Sequence, residues 1–231
     1  MLETEKLTAS YGASQILFGI NLQLADAETV CILGRNGVGK TTTLKTIMGM
    51  VRPHSGSIKF NGSEIGGLAS YRISRLGVAY IPQGRHIFPN LTARENLLIA
   101  ARRGNSPAAA WTIPRVYGLF PVLKARESFR GKSLSGGEQQ MLCIARGLMQ
   151  NPRLLLMDEI FEGLAPIVID GLLEVVQQLK KSGVAILLAE QNVKLAMQVS
   201  SRCYILEKGQ VVHSGNTSDV SQETIRKYLG T

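Results

Sequence analysis

Five apolar positions fall at every second residue: Ile16, Phe18, Ile20, Leu22 and Leu24. That spacing predicts a half-buried antiparallel strand. Leu2 to Ala9 reads as its partner, with Tyr11 and Gly12 in the turn between them. Ile58 and Phe60 flank Lys59, and Asn61-Gly62 closes that segment with a hairpin signal. These pieces predict an antiparallel β layer. Four other apolar runs do not alternate: Thr29–Leu33, Gly77–Ile81, Leu154–Met157 and Val184–Ala189. Short continuous runs of this kind mark strands buried on both faces, as in a parallel sheet. Helical spacing recurs between them, over Thr41–Met50, Gln139–Gln150, Pro166–Lys181, Asn192–Ser200 and about Ser221–Leu229. Tyr204–Leu206 and Val211-Val212 form a last hairpin around Glu207–Gln210. Strands alternating with helices predict an α/β domain with a mainly parallel sheet.

The character changes at Leu91. Thr92-Ala93-Arg94-Glu95 is a capping box that opens a helix through about Arg102, and Gly104–Pro107 breaks it. Helical spacing returns at Val116, Leu119, Phe120 and Leu123 within Pro114–Ser133. Residues 91–132 therefore read as a small helical lobe. It interrupts an α/β core with its β layer, formed by residues 1–90 and 133–231, in a single domain.

Composition narrows the setting. The chain has 231 residues, enough for one α/β domain with an inserted lobe. Its longest apolar run, Val184–Ala189, is far short of the roughly 18 residues of a membrane helix. The start, with Glu3, Glu5 and Lys6, does not resemble a signal peptide. The expectation is a cytosolic chain whose link to a membrane runs through a partner. Cys31, Cys143 and Cys203 lie far apart in apolar segments and read as reduced core residues; the three histidines form no ligand cluster. The net charge of +9 is dispersed, with no basic stripe interleaved with aromatics, so no nucleic-acid partner is expected.

Candidate chemistry begins at Gly34-Arg35-Asn36-Gly37-Val38-Gly39-Lys40-Thr41, which matches G-x-x-x-x-G-K-[ST]. A buried strand precedes it and a helix follows. Glycines let backbone N–H groups turn toward a polyphosphate, and the helix start adds partial positive charge. Lys40 is expected to reach the β- and γ-phosphates of a bound polyphosphate, and the Thr41 hydroxyl to ligate Mg²⁺. Asp158 and Glu159 follow the strand Leu154–Met157, and neighbours on a strand point opposite ways. Asp158 suits the metal; Glu159 suits the attacking water, whose proton a carboxylate accepts. Ser135-Gly136-Gly137-Glu138 opens another helix. It reads as an ordinary capping box or, because it carries two glycines, as a second anion-seeking nest.

Leu134-Ser135-Gly136-Gly137-Glu138-Gln139-Gln140 resembles the signature motif of ABC-type ATPases. The order also matches: phosphate loop, a glutamine at Gln83, helical lobe, signature, Asp-Glu strand. The resemblance implies a phosphate-loop NTPase (RecA-like) core with an antiparallel β subdomain and an inserted helical subdomain. It implies ATP and Mg²⁺ as cofactors and head-to-tail pairs, each ATP lying between one subunit's phosphate loop, with Thr42 beside it, and the other's Ser135, Gly136 and Gly137. Tyr11 resembles the aromatic that stacks on adenine. Gln83 resembles the glutamine that senses Mg²⁺ and water and couples the helical lobe to membrane partners. Ile81-Pro82-Gln83-Gly84-Arg85, Phe88-Pro89, Leu119-Phe120-Pro121, Glu162-Gly163-Leu164-Ala165-Pro166 and Ala189-Glu190-Gln191-Asn192 are similar to LivF-type subunits of branched-chain amino-acid importers; related urea and amide importers use similar subunits. That likeness implies a second ATPase of the LivG type (or a second copy of this chain), two permeases and a periplasmic binding protein. The place implied is the cytoplasmic face of the inner membrane. The alternative is a soluble ABC ATPase acting on nucleic acid or ribosomes, but those carry two ATPase halves or a coiled-coil insertion. Two departures stand out. Ile160-Phe161 replace the usual Pro and Ser/Thr after the Asp-Glu pair, which predicts an altered loop. Gln191 stands where most members have a switch histidine; it can bond the γ-phosphate but has no titratable proton.

Overall fold

The computed structural model describes residues 1–102 and 110–230. Two sheets organise the chain. The first is antiparallel, in the order β2-β1-β4-β5, from β1 (Leu2–Tyr11), β2 (Ser14–Leu24), β4 (Pro53–Phe60) and β5 (Ser63–Glu64). Asn61 and Gly62 both take positive φ, 51° and 78°, as the two-residue hairpin between β4 and β5 requires.

The second sheet runs β10-β9-β3-β8-β7-β6. Its strands are β3 (Thr29–Leu33), β6 (Val78–Ile81), β7 (Leu154–Asp158), β8 (Ala185–Glu190), β9 (Arg202–Glu207) and β10 (Gln210–Asn216). All neighbours are parallel except β10 with β9. The continuous apolar runs divide between two cores. Cys31, Leu33, Leu155, Met157, Ile186 and Leu188 face one; Val30, Ile32, Leu154, Leu156, Leu187 and Ala189 face the other. Two buried faces explain why these strands do not alternate in sequence.

Register decides where the chemistry lies. Ile81 pairs with Met157, Asp158 with Ala189, and Glu190 with Leu33. The C-terminal ends of four adjacent strands are thus level, and the segments at 34–41, 82–83, 158–159 and 190–191 share one edge. Ligands of open α/β sheets bind along that edge.

The helices are α1 (Lys40–Ile47), α2 (Ser70–Arg75), α3 (Ala93–Ala100), α4 (Ile113–Leu119), α5 (Pro121–Ala125), α6 (Gly136–Leu148), α7 (Pro166–Lys181), α8 (Val193–Val199) and α9 (Gln222–Leu229). Several differ from the sequence reading. Helix α1 stops at Ile47, because Gly49 enters the left-handed region at φ 70°. The spacing over 114–133 belongs to two short helices, since Pro121 has no N–H to continue the first. Helix α6 begins at Gly136, three residues before the start expected at Gln139. Helix α2, with one buried residue, Ile73, left too little periodicity to read. The expected break at Gly104–Pro107 lies outside the described residues. None of the helices in the described residues is long and apolar enough to cross a membrane.

Candidate functional site

The loop leaving β3 is built to stay open. Gly39, the residue before α1, has φ 106°, and a Cβ there would lie 2.8 Å from Leu17 Cδ2. Both the N–H and the hydroxyl of Thr43 donate to the Gly39 carbonyl, at 2.8 and 2.9 Å. The turn between β9 and β10 braces the loop: Gly209 N–H donates to Val38 O at 3.0 Å, while Phe18 N–H of β2 donates to Gly209 O at 2.8 Å. Above lies a cleft of about 300 Å³, formed by Asn36, Gly37 and Gly39–Thr42 with Ile16, Gln83 and Glu159 at its sides. Arg35 is exposed and Val38 packs into the second core.

Lys40 Nζ donates to the carbonyls of Gly34 and Arg35, at 2.9 and 3.1 Å, and pairs with Glu159 Oε1 at 3.0 Å. Both side chains of this ion pair are buried, 3% and 8% exposed. Thr41 Oγ1 donates to Asp158 Oδ1 at 3.0 Å, and Tyr80 OH to Asp158 Oδ2 at 2.8 Å. The two adjacent carboxylates therefore diverge, one toward Thr41 and Tyr80, the other toward Lys40. Burial pushes the Asp158 carboxyl up, against the lowering pull of the Tyr80 and Thr41 hydrogen bonds. Burial and the Asp158 charge push the Tyr80 phenol far above its ordinary value, so it stays a donor. Thr41 and Asp158 offer two oxygens side by side. A pair of that kind suits Mg²⁺, which keeps most of its waters and takes few protein ligands.

Gln83, just past β6, closes the other side. Its Nε2 donates to Glu159 Oε2 at 3.0 Å and to Glu162 Oε2 at 2.6 Å. Glu159 leaves β7 with φ 47°, unusual for a residue with a side chain, and its N–H donates to Ala189 O at 2.9 Å. Ile160 and Phe161 turn into the core, 0% and 3% exposed. The departure from Pro-Ser/Thr thus anchors the loop in apolar packing while Glu159 still faces Lys40. Phe161 N–H donates to Glu190 Oε1 at 3.3 Å. Burial raises the Glu190 carboxyl to about 8, despite that hydrogen bond.

The remaining sequence candidates lie outside the cleft. Gln191 is exposed at the end of β8 and lines a different cavity, about 880 Å³, which it shares with Glu159. That cavity is the larger, but it holds neither the glycine loop nor Asp158, so volume does not mark the chemistry. Tyr11 is 49% exposed, paired in register with Ser14 in the β1–β2 hairpin. Ser135, Gly136 and Gly137 belong to the start of α6 and do not line the loop cleft. Their capping box is present: Ser135 Oγ accepts from Glu138 N–H at 3.3 Å, and Glu138 accepts from Ser135 N–H at 2.7 Å. The glycines do not argue against the cap. They admit close neighbours, Arg85 over Gly136 and Val168 of α7 against Gly137.

Tyr80, Ile16, Arg85, Glu162 and Glu190 were not marked as site residues by sequence reasoning. Only Tyr80 left a usable signal, a polar group inside a buried apolar strand.

Residues 17–162 match the family model described as "ABC transporter". The chain belongs to the ABC transporter family. As an ABC ATPase it is an ATP hydrolase. It is 40% identical over 232 residues to the high-affinity branched-chain amino acid transport ATP-binding protein BraG of Pseudomonas aeruginosa, covering 100% of both chains. It is 37% identical over 224 residues to the probable branched-chain amino acid transport ATP-binding protein LivF of Archaeoglobus fulgidus, covering 95% of this chain and 94% of the other. A solved ATP-binding subunit of an ABC transporter superposes with a TM-score of 0.81 at 31% identity, over 98% of this chain and 92% of that one. The ABC ATPase fold, with its antiparallel sheet and helical insert, agrees with the architecture expected from the sequence.

Proposed function

We propose that this ABC ATPase powers import of branched-chain amino acids, or of related small amides, as a peripheral subunit on the cytoplasmic face of the inner membrane. It works with a second ATPase subunit, of LivG type or a copy of itself, and with two permeases that receive cargo from a periplasmic binding protein. The full-length likeness to BraG supports the cargo. The observation that carries the chemistry is the pair of contacts Lys40–Glu159 and Thr41–Asp158 at the edge of the glycine loop.

A triphosphate seated against the loop amides meets Lys40 first. The amine then exchanges Glu159 for phosphate oxygens, a stronger partner because it bears more negative charge. That exchange frees Glu159 Oε1, while Gln83 keeps Oε2 and so holds the carboxylate's aim. Magnesium held by Thr41 and Asp158, with Gln83 facing it, would supply charge neutralisation on the phosphate oxygens. Water then forms its bond to the γ-phosphorus, the bond from that phosphorus to the bridging oxygen breaks, and ADP leaves with the electron pair. Glu159 takes the water's proton. Ser135, Gly136 and Gly137 of the partner close over the γ-phosphate, Tyr11 lies beside the adenine, and Gln191 reaches the phosphate from the end of β8. Separate placement of the loop cleft and the α6 start within one chain is what such reciprocal closure needs.

The test is transport by the assembled complex in vesicles supplied with the binding protein and labelled leucine, isoleucine or valine. ATP-dependent uptake that Glu159→Gln abolishes is the expected result. ATP hydrolysis unaffected by all three amino acids and by urea and short amides, with no uptake, contradicts the proposal.

A further inference from the structure

Arg85 has no role in the chemistry above, yet it touches two parts of the site, the 162–163 carbonyls and the start of α6. Gly84 and Arg85 both have positive φ, 92° and 57°, so the chain reverses just after Gln83 and throws the arginine sideways. Its Nη2 donates to Gly163 O at 2.9 Å and to Glu162 O at 3.4 Å. The other side of the guanidinium covers the first residue of α6, where a Cβ on Gly136 would overlap Nη1. Two residues earlier, Gln83 holds Glu159 and Glu162. One residue later, His86 O accepts from Arg146 Nη1 of α6 at 2.6 Å.

The span beneath the guanidinium is not filled. A cavity of about 420 Å³ separates the start of α6 from the 159–163 loop, with Gln139 and Gln140 on one wall and Glu159 and Glu162 on the other. Gln140 is 4% exposed and its Nε2 has no hydrogen-bond partner among the described residues. Val168 of α7 packs against Gly137, an apolar contact that resists separation more than sliding. The guanidinium joins the two differently: both of its hydrogen bonds leave Nη2 for the 162–163 carbonyls, and its Nη1 side packs against Gly136.

We infer that Arg85 is a positioning residue that carries nucleotide occupancy from the chain's own phosphate loop to the surface it offers its partner. When Gln83 shifts with Glu159 on ATP binding, the short 83–85 segment shifts with it. Arg85 then moves the Gly136 end of α6 and the 162–163 carbonyls as one body. Each chain's own ATP thereby sets the surface that closes the partner's ATP. The inference rests on the paired-ATPase reading above, but its first step lies within a single chain and is measured there.

The experiment is amide hydrogen exchange on the purified chain, with and without Mg-ATP, at a concentration where size exclusion shows a monomer. In the wild type, Mg-ATP should slow exchange over 37–43 by at least about fivefold and also change it over 136–140 and 162–164. Arg85→Ala should keep the first response and bring the second to within about twofold of no change. Arg85→Lys, which keeps the charge and loses the planar group that spans from the 162–163 carbonyls to Gly136, should behave like Arg85→Ala; a wild-type response would overturn the role of the guanidinium. An undiminished response over 136–140 in Arg85→Ala, or none in the wild type despite a response over 37–43, overturns the link alone. No response over 37–43 in the wild type overturns the nucleotide reading, and the link with it.

Discussion

Glu190 ends β8 with its carboxyl buried beneath the amides of residues 160 and 161, close to Glu159. Water is excluded there and, among the described residues, no cation forms an ion pair with it, so the neutral form is favoured. An acid whose folded value is about 8, against an ordinary 4.5, holds its proton in the native state while the unfolded chain has lost it. Its contribution to stability is full below pH 4.5, falls as pH rises, and is lost through about pH 8. Glu190→Gln keeps the acceptor for Phe161 N–H and removes the titration. The variant should gain on the order of a few kcal/mol over wild type at pH 8 and much less at pH 5, measured by urea unfolding at both values. An equal difference at the two pH values contradicts the assignment.

Two helices start in the same way and serve different ends. Thr92 caps α3 and Ser135 caps α6, each with a glutamate three residues on that reaches back to the cap amide. Replacing either cap with alanine costs roughly 1 kcal/mol of stability. Thr92→Ala should cost that and leave ATP hydrolysis by the complex within about twofold of wild type. Ser135→Ala should match that loss in a denaturation curve and also slow hydrolysis by tenfold or more, roughly the loss of one transition-state hydrogen bond. Equal hydrolysis by the two variants reduces Ser135 to a cap. Both caps were legible in the sequence because the pattern is local. So were the phosphate loop and the strand leading to Asp158. The contacts that set the site's geometry were not. Glu159 and Arg85 adopt left-handed φ without being glycine, and Arg85 binds carbonyls nearly eighty residues away. No periodicity encodes such contacts. Ile160-Phe161 suggested a disturbed loop, but buried apolar side chains and the Glu190 carboxyl hold it in place.

At the scale of the molecule, one sheet with two apolar faces places four strand ends level, and the polar groups of the loop cleft are fixed to that edge or hang from it, while Ile16 of β2 closes one side. Lys40 and Thr41 sit at the start of α1, and Asp158 and Glu159 at the end of β7. Gln83 and Arg85 lie on the segment that leaves β6 for α3, between the sheet and the helical lobe. The basic net charge of +9 is spread over this body and marks no partner by itself. The account depends on the glycine loop holding a triphosphate through Lys40. Calorimetric titration of Mg-ATP into the purified Glu159→Gln chain tests this most directly, because hydrolysis is slowed and removing Lys40 then strands no buried carboxylate. One site per chain, weakened at least about tenfold by Lys40→Ala, is the predicted result. Equal affinity with and without Lys40, or no binding at all, contradicts it.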